Sequence, residues 1–482
     1  MTTTQSAPMN VRFARRSTRG LLLGLSTPRV LALGAAAAVA VVALFLGRST
    51  GFLLSSLVWL PLTTVAVVRV AGRPAVEWAG TAAHFAVRKG ATQTEFRAKV
   101  EKPRPAGTLA LPGDAASMRL HIDESSGAAM IHDPHRQTLT AVLLVSHPAF
   151  ALLDDPDRAL RVSRWGRVIA QLAQSGTCAA LQVLEATIAD PARSQADWWE
   201  RNGHDDGGWA ATQYRALLDQ VRLDSSTHRT TVSLSLDLRA AARAIKAAGR
   251  GLKGAAEVLR GDMACLADAL QQAGLRPVGW LGEAELAAMV RHAFDPAVLV
   301  DPASDPAASL AHAGPVAVSE SWQRLRHDSA WSSVLWIAEW PRITVPPDFL
   351  HPIVFAPGVR RTLSITSRPL PTDAALRQIR REKTEAVADS TQKARIGQLA
   401  DLSDAQEYDD LLTRERSVIS GHTDVEFTGF VTVTAPTLDT LDAAVATATR
   451  AAAQATCEVR PLYGRQMQGF VAAALPLGRT TF

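Results

Sequence analysis

Three short strings in this chain carry residue types that could do chemistry. Glu320-Ser321-Trp322, followed by His327-Asp328-Ser329, holds acids, a base and hydroxyls, the components of a hydrolase triad. They are crowded within ten residues and lack the strand–turn–helix setting that exposes a nucleophile. His132-Asp133-Pro134-His135 offers two imidazoles. Their spacing across a proline is not that of a helical ligand pair and no third ligand follows, so the string reads as a turn between strands. Gly249, Gly251 and Gly254 spell G-x-G-x-x-G. A dinucleotide site needs a strand directly before the first glycine, whereas residues 239–248 are Ala/Arg-rich and helical, so these glycines read as a loop ahead of a helix. The phosphate loop G-x-x-x-x-G-K-[ST] does not occur in the sequence. Cys178, Cys265 and Cys457 are far apart with no CxxC, which supports neither a zinc site nor a disulfide framework. The expectation is a chain with no metal, no cofactor and no catalytic residue.

Binding is the other chemistry open to these residues. Trp198 and Trp199 fall in an irregular stretch, 190–206, rich in Asp and Gly. They read equally as core filling and as an exposed loop that anchors a protein partner, since Trp is enriched at interface hot spots. Residues 372–418 are long, helical and densely charged, with Arg377, Arg380, Arg381 and Lys383 interleaved with acids. This predicts a solvated helical hairpin whose charges set partner choice.

The elements that must position these residues alternate strand and helix. Strands are expected at 118–122, 128–132, 138–146, 178–187, 229–238 and 276–280, with helices at 154–175, 209–221 and 255–272. Residues 281–312 read as helical, then as a Pro-rich linker. The second half repeats the theme without an exact repeat: strands at 332–340, 361–367, 424–434 and 457–460, and helices at 438–455, with Thr437 as cap, and 463–475. The fold class expected is α+β, with two ferredoxin-like α/β sandwich domains, 118–312 and 313–482.

Ahead of them stand two uncharged apolar runs of 18 residues each, 30–47 and 51–68, joined by Arg48-Ser49-Thr50. Eighteen residues is about the minimum for crossing a hydrocarbon core, so 30–68 predicts a transmembrane helical hairpin. A basic N-terminus, 1–29, carries Arg12, Arg15, Arg16, Arg19 and Arg29; a basic connector, 69–117, begins with Arg69 and Arg73. Basic residues on both flanks predict both termini on the cytoplasmic side of the plasma membrane. Residues 1–105 carry a net charge of +11 against +5 for the whole chain, so the remainder is net acidic. The basic belt suits anionic lipid headgroups, and the soluble part has no net basic character for nucleic acid.

The paired apolar runs combine with Val290-Arg291-His292-Ala293-Phe294-Asp295-Pro296, with the block from Glu320 to Ser329, and with the ending Arg460-Pro461-Leu462-Tyr463-Gly464-Arg465-Gln466 through Leu475-Pro476-Leu477-Gly478. Over nearly its full length the chain resembles a family of actinobacterial integral membrane proteins of conjugation-like (type IV) secretion loci. Its ending also resembles the close of the non-ATPase region of conjugation ATPases. That resemblance implies a non-catalytic scaffold, part of a homo- or hetero-oligomer, that docks a separate motor ATPase and other membrane subunits. In layout the chain is also similar to EccE proteins of mycobacterial type VII secretion. A membrane-tethered transferase is an alternative of another class, for which the sequence holds no motif.

Overall fold

The structure is a computed structural model and describes residues 13, 26–70, 72–99, 107–147, 150–189, 193–204, 206–221, 226–298, 309–395 and 402–480. It divides into two compact units, Ala14–Thr94 with Tyr463–Arg465, and Met1–Phe13 with Glu95–Leu462 and Gln466–Phe482.

In the smaller unit the two apolar runs form one helical element, α1 (Thr27–Val67), broken at Arg48, whose φ is 49°. The break reverses the chain. Arg29 Nε donates to the Ala66 carbonyl at 3.1 Å across 37 residues of sequence, a separation of about 55 Å along an unbroken helix. Beside the turn, a Cβ on Gly51 would fall 2.5 Å from the Ala43 oxygen, so only glycine lets the chain close there. Leu31, Phe45, Leu46, Leu53 and Leu57 are exposed. The element is long and apolar enough to cross a membrane, with a mean hydropathy of 2.6 over a window that is 11% buried. Strands β1 (Arg69–Val70) and β2 (Arg73–Pro74) pair antiparallel and lead into α2 (Ala75–Gly90). Ser26 Oγ donates to Glu77 at 2.6 Å, tying the start of α1 to α2.

The larger unit is an antiparallel sheet built twice over. After β3 (Glu95–Arg97), the first half runs β4 (Arg119–Ile122), β5 (Ala129–Asp133), β6 (Thr138–Ser146), α3 (Asp155–Ser175), β7 (Cys178–Ala189), α4 (Arg193–Asn202), α5 (Trp209–Val221), β8 (Ser226–Asp237), α6 (Ala242–Ala247), α7 (Gly251–Gln272), β9 (Arg276–Trp280) and α8 (Glu283–Phe294). After the short α9 (Leu310–Ala313), the second half runs β10 (Ala317–Glu320), β11 (Leu325–His327), β12 (Ala330–Glu339), α10 (His351–Val354), β13 (Arg360–Leu370), α11 (Thr372–Arg395), α12 (Leu402–Ile419), β14 (Asp424–Ala435), α13 (Leu438–Gln454), β15 (Glu458–Pro461) and α14 (Gln466–Ala474). The spatial order β9-β6-β8-β7 of the first half repeats as β15-β12-β14-β13 in the second, every pair antiparallel.

Sequence reasoning expects two separate sandwiches; the strands instead form one sheet of 13. The seam is β7 against β13, from Ala186 opposite Thr362 to Leu181 opposite Ser367. Each would otherwise be an edge strand with unpaired backbone groups, and their pairing removes both edges. On one face α3 and α7 bury Leu172, Leu259 and Leu266 over the first half, while α10 and α13 bury Ile353, Leu441 and Ala448 over the second. On the opposite face α8 and α14 share a core in which Leu286, Val290, Phe294, Phe470 and Val471 meet Val334 and Phe430. Helix α8 therefore belongs to the core and not to a linker, because its Leu286–Val290–Phe294 stripe has the spacing of a buried face. The Pro-rich part of the expected linker, 299–308, lies outside the described residues. Within the connector, 69–117, β3 pairs with β10.

Gln182 on β7 is fully buried at the seam. Its Nε2 donates to Ser364 Oγ at 2.9 Å and to the carbonyls of Ala472 at 3.0 Å and Leu475 at 3.1 Å. Its Oε1 accepts from Gly478 N at 2.7 Å. The segment after α14 is thus strapped across the sheet, and Ser233 Oγ adds a bond to the Pro476 carbonyl at 2.9 Å. Gly478 has a φ of +63°, and a Cβ there would lie 2.1 Å from Ser235 Oγ, so glycine is needed on both counts. Replacing Gln182 by Leu orphans buried groups of both strands and strap, at about 3 kcal/mol in total. The urea midpoint of purified Gln182→Leu protein, followed by Trp fluorescence, should fall accordingly; an unchanged midpoint would remove Gln182 from the seam's energetics.

Candidate docking surfaces and the Arg–Asp locks

Each half ends the second strand of its opening meander on a His-Asp pair, His132-Asp133 in β5 and His327-Asp328 after β11. Asp133 Oδ1 accepts from the backbone N–H of His135 at 3.0 Å and Arg136 at 3.2 Å. Asp328 Oδ1 accepts from Val316 N at 2.9 Å and Ala317 N at 3.0 Å. The second oxygen of each carboxylate faces an arginine from beyond the other half's strands. Arg479, past α14, places Nε 2.9 Å from Asp133 Oδ2, with both side chains almost fully buried. Arg291, on α8, places Nη1 3.5 Å from Asp328 Oδ2 and Nη2 2.8 Å from Asp295 Oδ2. The two halves are therefore braced reciprocally.

The residues that resemble a hydrolase triad are used up in this bracing. Ser329 Oγ donates to Asp295 at 2.5 Å, Ser321 Oγ to the Arg324 carbonyl at 2.9 Å, and Glu320 Oε1 accepts from Met467 N at 3.2 Å. His327, fully buried, bonds through Nδ1 to the Phe294 carbonyl at 2.5 Å and through Nε2 to Ser332 Oγ at 2.8 Å. A carbonyl can only accept, so Nδ1 carries the proton and Nε2 accepts from the serine. Burial pushes His327 down to about 4, against the opposing pull of the Phe294 carbonyl. Ser332 is fully buried as well, so this His–Ser pair is sealed from solvent. Burial, reinforced by Arg360, also holds His292 down to about 4. Cys178 is pushed up to about 12 and Cys457 to about 11 by burial, so both remain protonated thiols at neutral pH. The three glycines at 249, 251 and 254 carry the turn from α6 into α7, where a Cβ on Gly254 would meet the Ile245 carbonyl at 2.6 Å. Among the described residues no group of three or more His, Cys, Asp or Glu could hold a metal ion.

The remaining candidate residues stand on two helical pairs, each inserted between the second and third strands of its half's four. Because β7 and β13 are antiparallel, the pairs leave the sheet at opposite ends. Trp198 and Trp199 sit on helix α4, not on an irregular loop. A helix of this length is marginal alone; the Trp199 ring stabilises it by packing on Tyr214 of α5 at 4.6 Å. Trp198 remains 55% exposed, joined on α5 by Trp209, 80% exposed. In the second insertion three ion pairs among the described residues join α11 to α12. Lys383 meets Glu415 at 2.8 Å, Arg414 meets Glu382 at 2.9 Å, and Lys393 meets Asp404 at 2.8 Å. Arg377 pairs with Asp373 on its own helix at 2.7 Å. Arg380 and Arg381 are exposed. Of the membrane-proximal cations, Arg29 bonds Ala66, and Arg69 and Arg73 pair β1 with β2; Arg12, Arg15, Arg16 and Arg19 lie outside the described residues.

One comparison with known proteins bears on the larger unit. Residues 225–337 match a family described as putative type VII ESX secretion system translocon, EccE. The match covers less than a quarter of the chain. It runs from β8 through α8 into β12 and so contains Arg291, Asp295, His327, Asp328 and Ser332, the lock between α8 and the second half. Among curated proteins, none matches this chain.

The histidines of this lock set a pH dependence. Each is neutral in the fold and can charge in the unfolded chain, so its contribution is complete above pH 6.5 and is lost as pH falls toward 4. For His327 the loss at pH 4 is about 3 kcal/mol. Urea midpoints measured from pH 7.5 to 4.5 should fall steeply below 6.5, and less steeply in His327→Asn; equal slopes would contradict the buried neutral histidine.

Proposed function

We propose that this chain is a non-catalytic, membrane-anchored structural subunit of a type VII-like secretion complex. The observation that carries this reading is the family match, which falls on the segment locking the two halves together. A lock made of buried, ion-paired groups suits a plate that holds partners and not a site that turns over substrate. Both ends of the broken helix α1 meet through Arg29 and Ala66, which supports a hairpin that enters and leaves the bilayer on one side. Basic flanks put that side in the cytoplasm, as part of a multi-pass anchor. Each half, taken alone, is read as a ferredoxin-like unit. Partner contacts are assigned to exposed Trp198, with Trp199 supporting it, and to the α11 face bearing Arg377, Arg380, Arg381 and Lys383. Arg12, Arg15, Arg16, Arg19, Arg29, Arg69 and Arg73 contact lipid headgroups.

One observation favours a second reading. Helix α14 runs into the Leu475-Pro476-Leu477-Gly478 turn, the ending that resembles conjugation ATPases. A conjugation-like scaffold docking a separate motor ATPase has the same architecture and different neighbours. Affinity purification of the full chain from membranes in mild detergent, with mass spectrometry of what co-purifies, separates the two. Type VII membrane components are expected. A conjugation ATPase with its coupling protein would establish the second reading, and recovery of the chain alone would contradict both.

A further inference from the structure

Phe13 precedes the apolar helix, yet its ring lies in the larger unit among three aromatic side chains of the second half. It stacks on Trp340 at 5.3 Å and 30°, meets Phe349 edge-on at 5.4 Å, and meets Phe427 at 5.8 Å. Trp340 also contacts the other two, Phe427 at 5.0 Å and Phe349 at 6.3 Å. The cage is built around a glycine: a Cβ on Gly429 would come within 2.7 Å of Trp340 Cζ2 and 2.8 Å of Ile337 Cδ1. Only a bare backbone at this point of β14 lets the indole lie flat across it.

The sequence around both partners is complementary in charge. Every cage aromatic follows an acid, in Glu339-Trp340, Asp348-Phe349 and Glu426-Phe427, while the arm reads Arg12-Phe13-Ala14-Arg15-Arg16. Glu426 is exposed, and half-buried Glu339 and Asp348 pair with Arg342 and Arg158. Offset-stacked and edge-to-face rings supply the attraction.

We infer that Trp340, Phe349 and Phe427 form a docking site for an aromatic-anchored peptide, and that its occupant is this chain's own N-terminal arm, inserted through Phe13. The arm is thereby held on the same side of the membrane as the sheet unit, independently of the positive charges that retain it there.

The test uses the full chain in its native membranes, with the photoreactive analogue p-benzoyl-phenylalanine at position 13. After irradiation, digestion and mass spectrometry, adducts should map to the peptides holding Trp340, Phe349 or Phe427 within one chain. Gly429→Ala, which displaces the indole, should lower their yield at least tenfold. Should that variant fail to fold, Phe427→Ala serves, and the same loss is expected. Adducts confined to lipid, to another protein or to a second copy, the last seen as a doubled mass, would overturn the proposal. So would a yield unchanged by whichever variant folds.

Discussion

Two arginines cross from the end of one half of the sheet to the opening turn of the other, and the rest of the structure depends on that exchange. Arg291 reaches Asp328 and Arg479 reaches Asp133. Buried charge pairs add little stability compared with a well-packed apolar replacement, but losing one partner is severe. Their value here is one of register. They fix which helix covers which half, so that α8 and α14 lie side by side over a common core. Only with that cover in place does Gln182 find its partners, and only then is the β7–β13 seam sealed on both faces. Either half alone would expose an edge strand and an uncovered face.

This bracing gives the molecule a stiff centre with two different extremities. At one end the α4–α5 pair presents Trp198 and Trp209 to solvent. At the other the α11–α12 pair presents a polar surface whose charges are largely satisfied internally. Large aromatic area supplies binding energy, while a charged face governs partner choice and encounter. A plate with one of each suits an assembly in which a subunit keeps one neighbour and selects another.

Much of this was legible in the sequence, for definite reasons. The strands at 138–146 and 424–434 alternate or run β-branched, and the Arg48-Ser49-Thr50 break stands out between uncharged runs, because local pattern suffices for both. The fusion of the halves was not legible: nothing in the composition of β7 or β13 says which edge strand each will meet. The helix carrying Trp198 and Trp199 was hidden because its stability comes from Tyr214, a contact beyond its own window. Ser329, His327 and Asp328 looked like chemistry because a buried structural network uses the same residue types as a catalytic one. The buried faces and the carbonyl at His327 tell them apart, and those are tertiary facts. Phe13 offered one usable signal, an isolated aromatic among arginines, whose partner only the fold supplies.

The role proposed for this chain is to hold a secretion complex together. Its most direct test is the secreted proteome of a strain deleted for this chain. The account predicts selective loss of proteins exported by the type VII system. That export should be restored by the full chain, and not by a chain lacking residues 27–67. An unchanged type VII secretome, with loss confined to DNA transfer or to no exported protein at all, would contradict it.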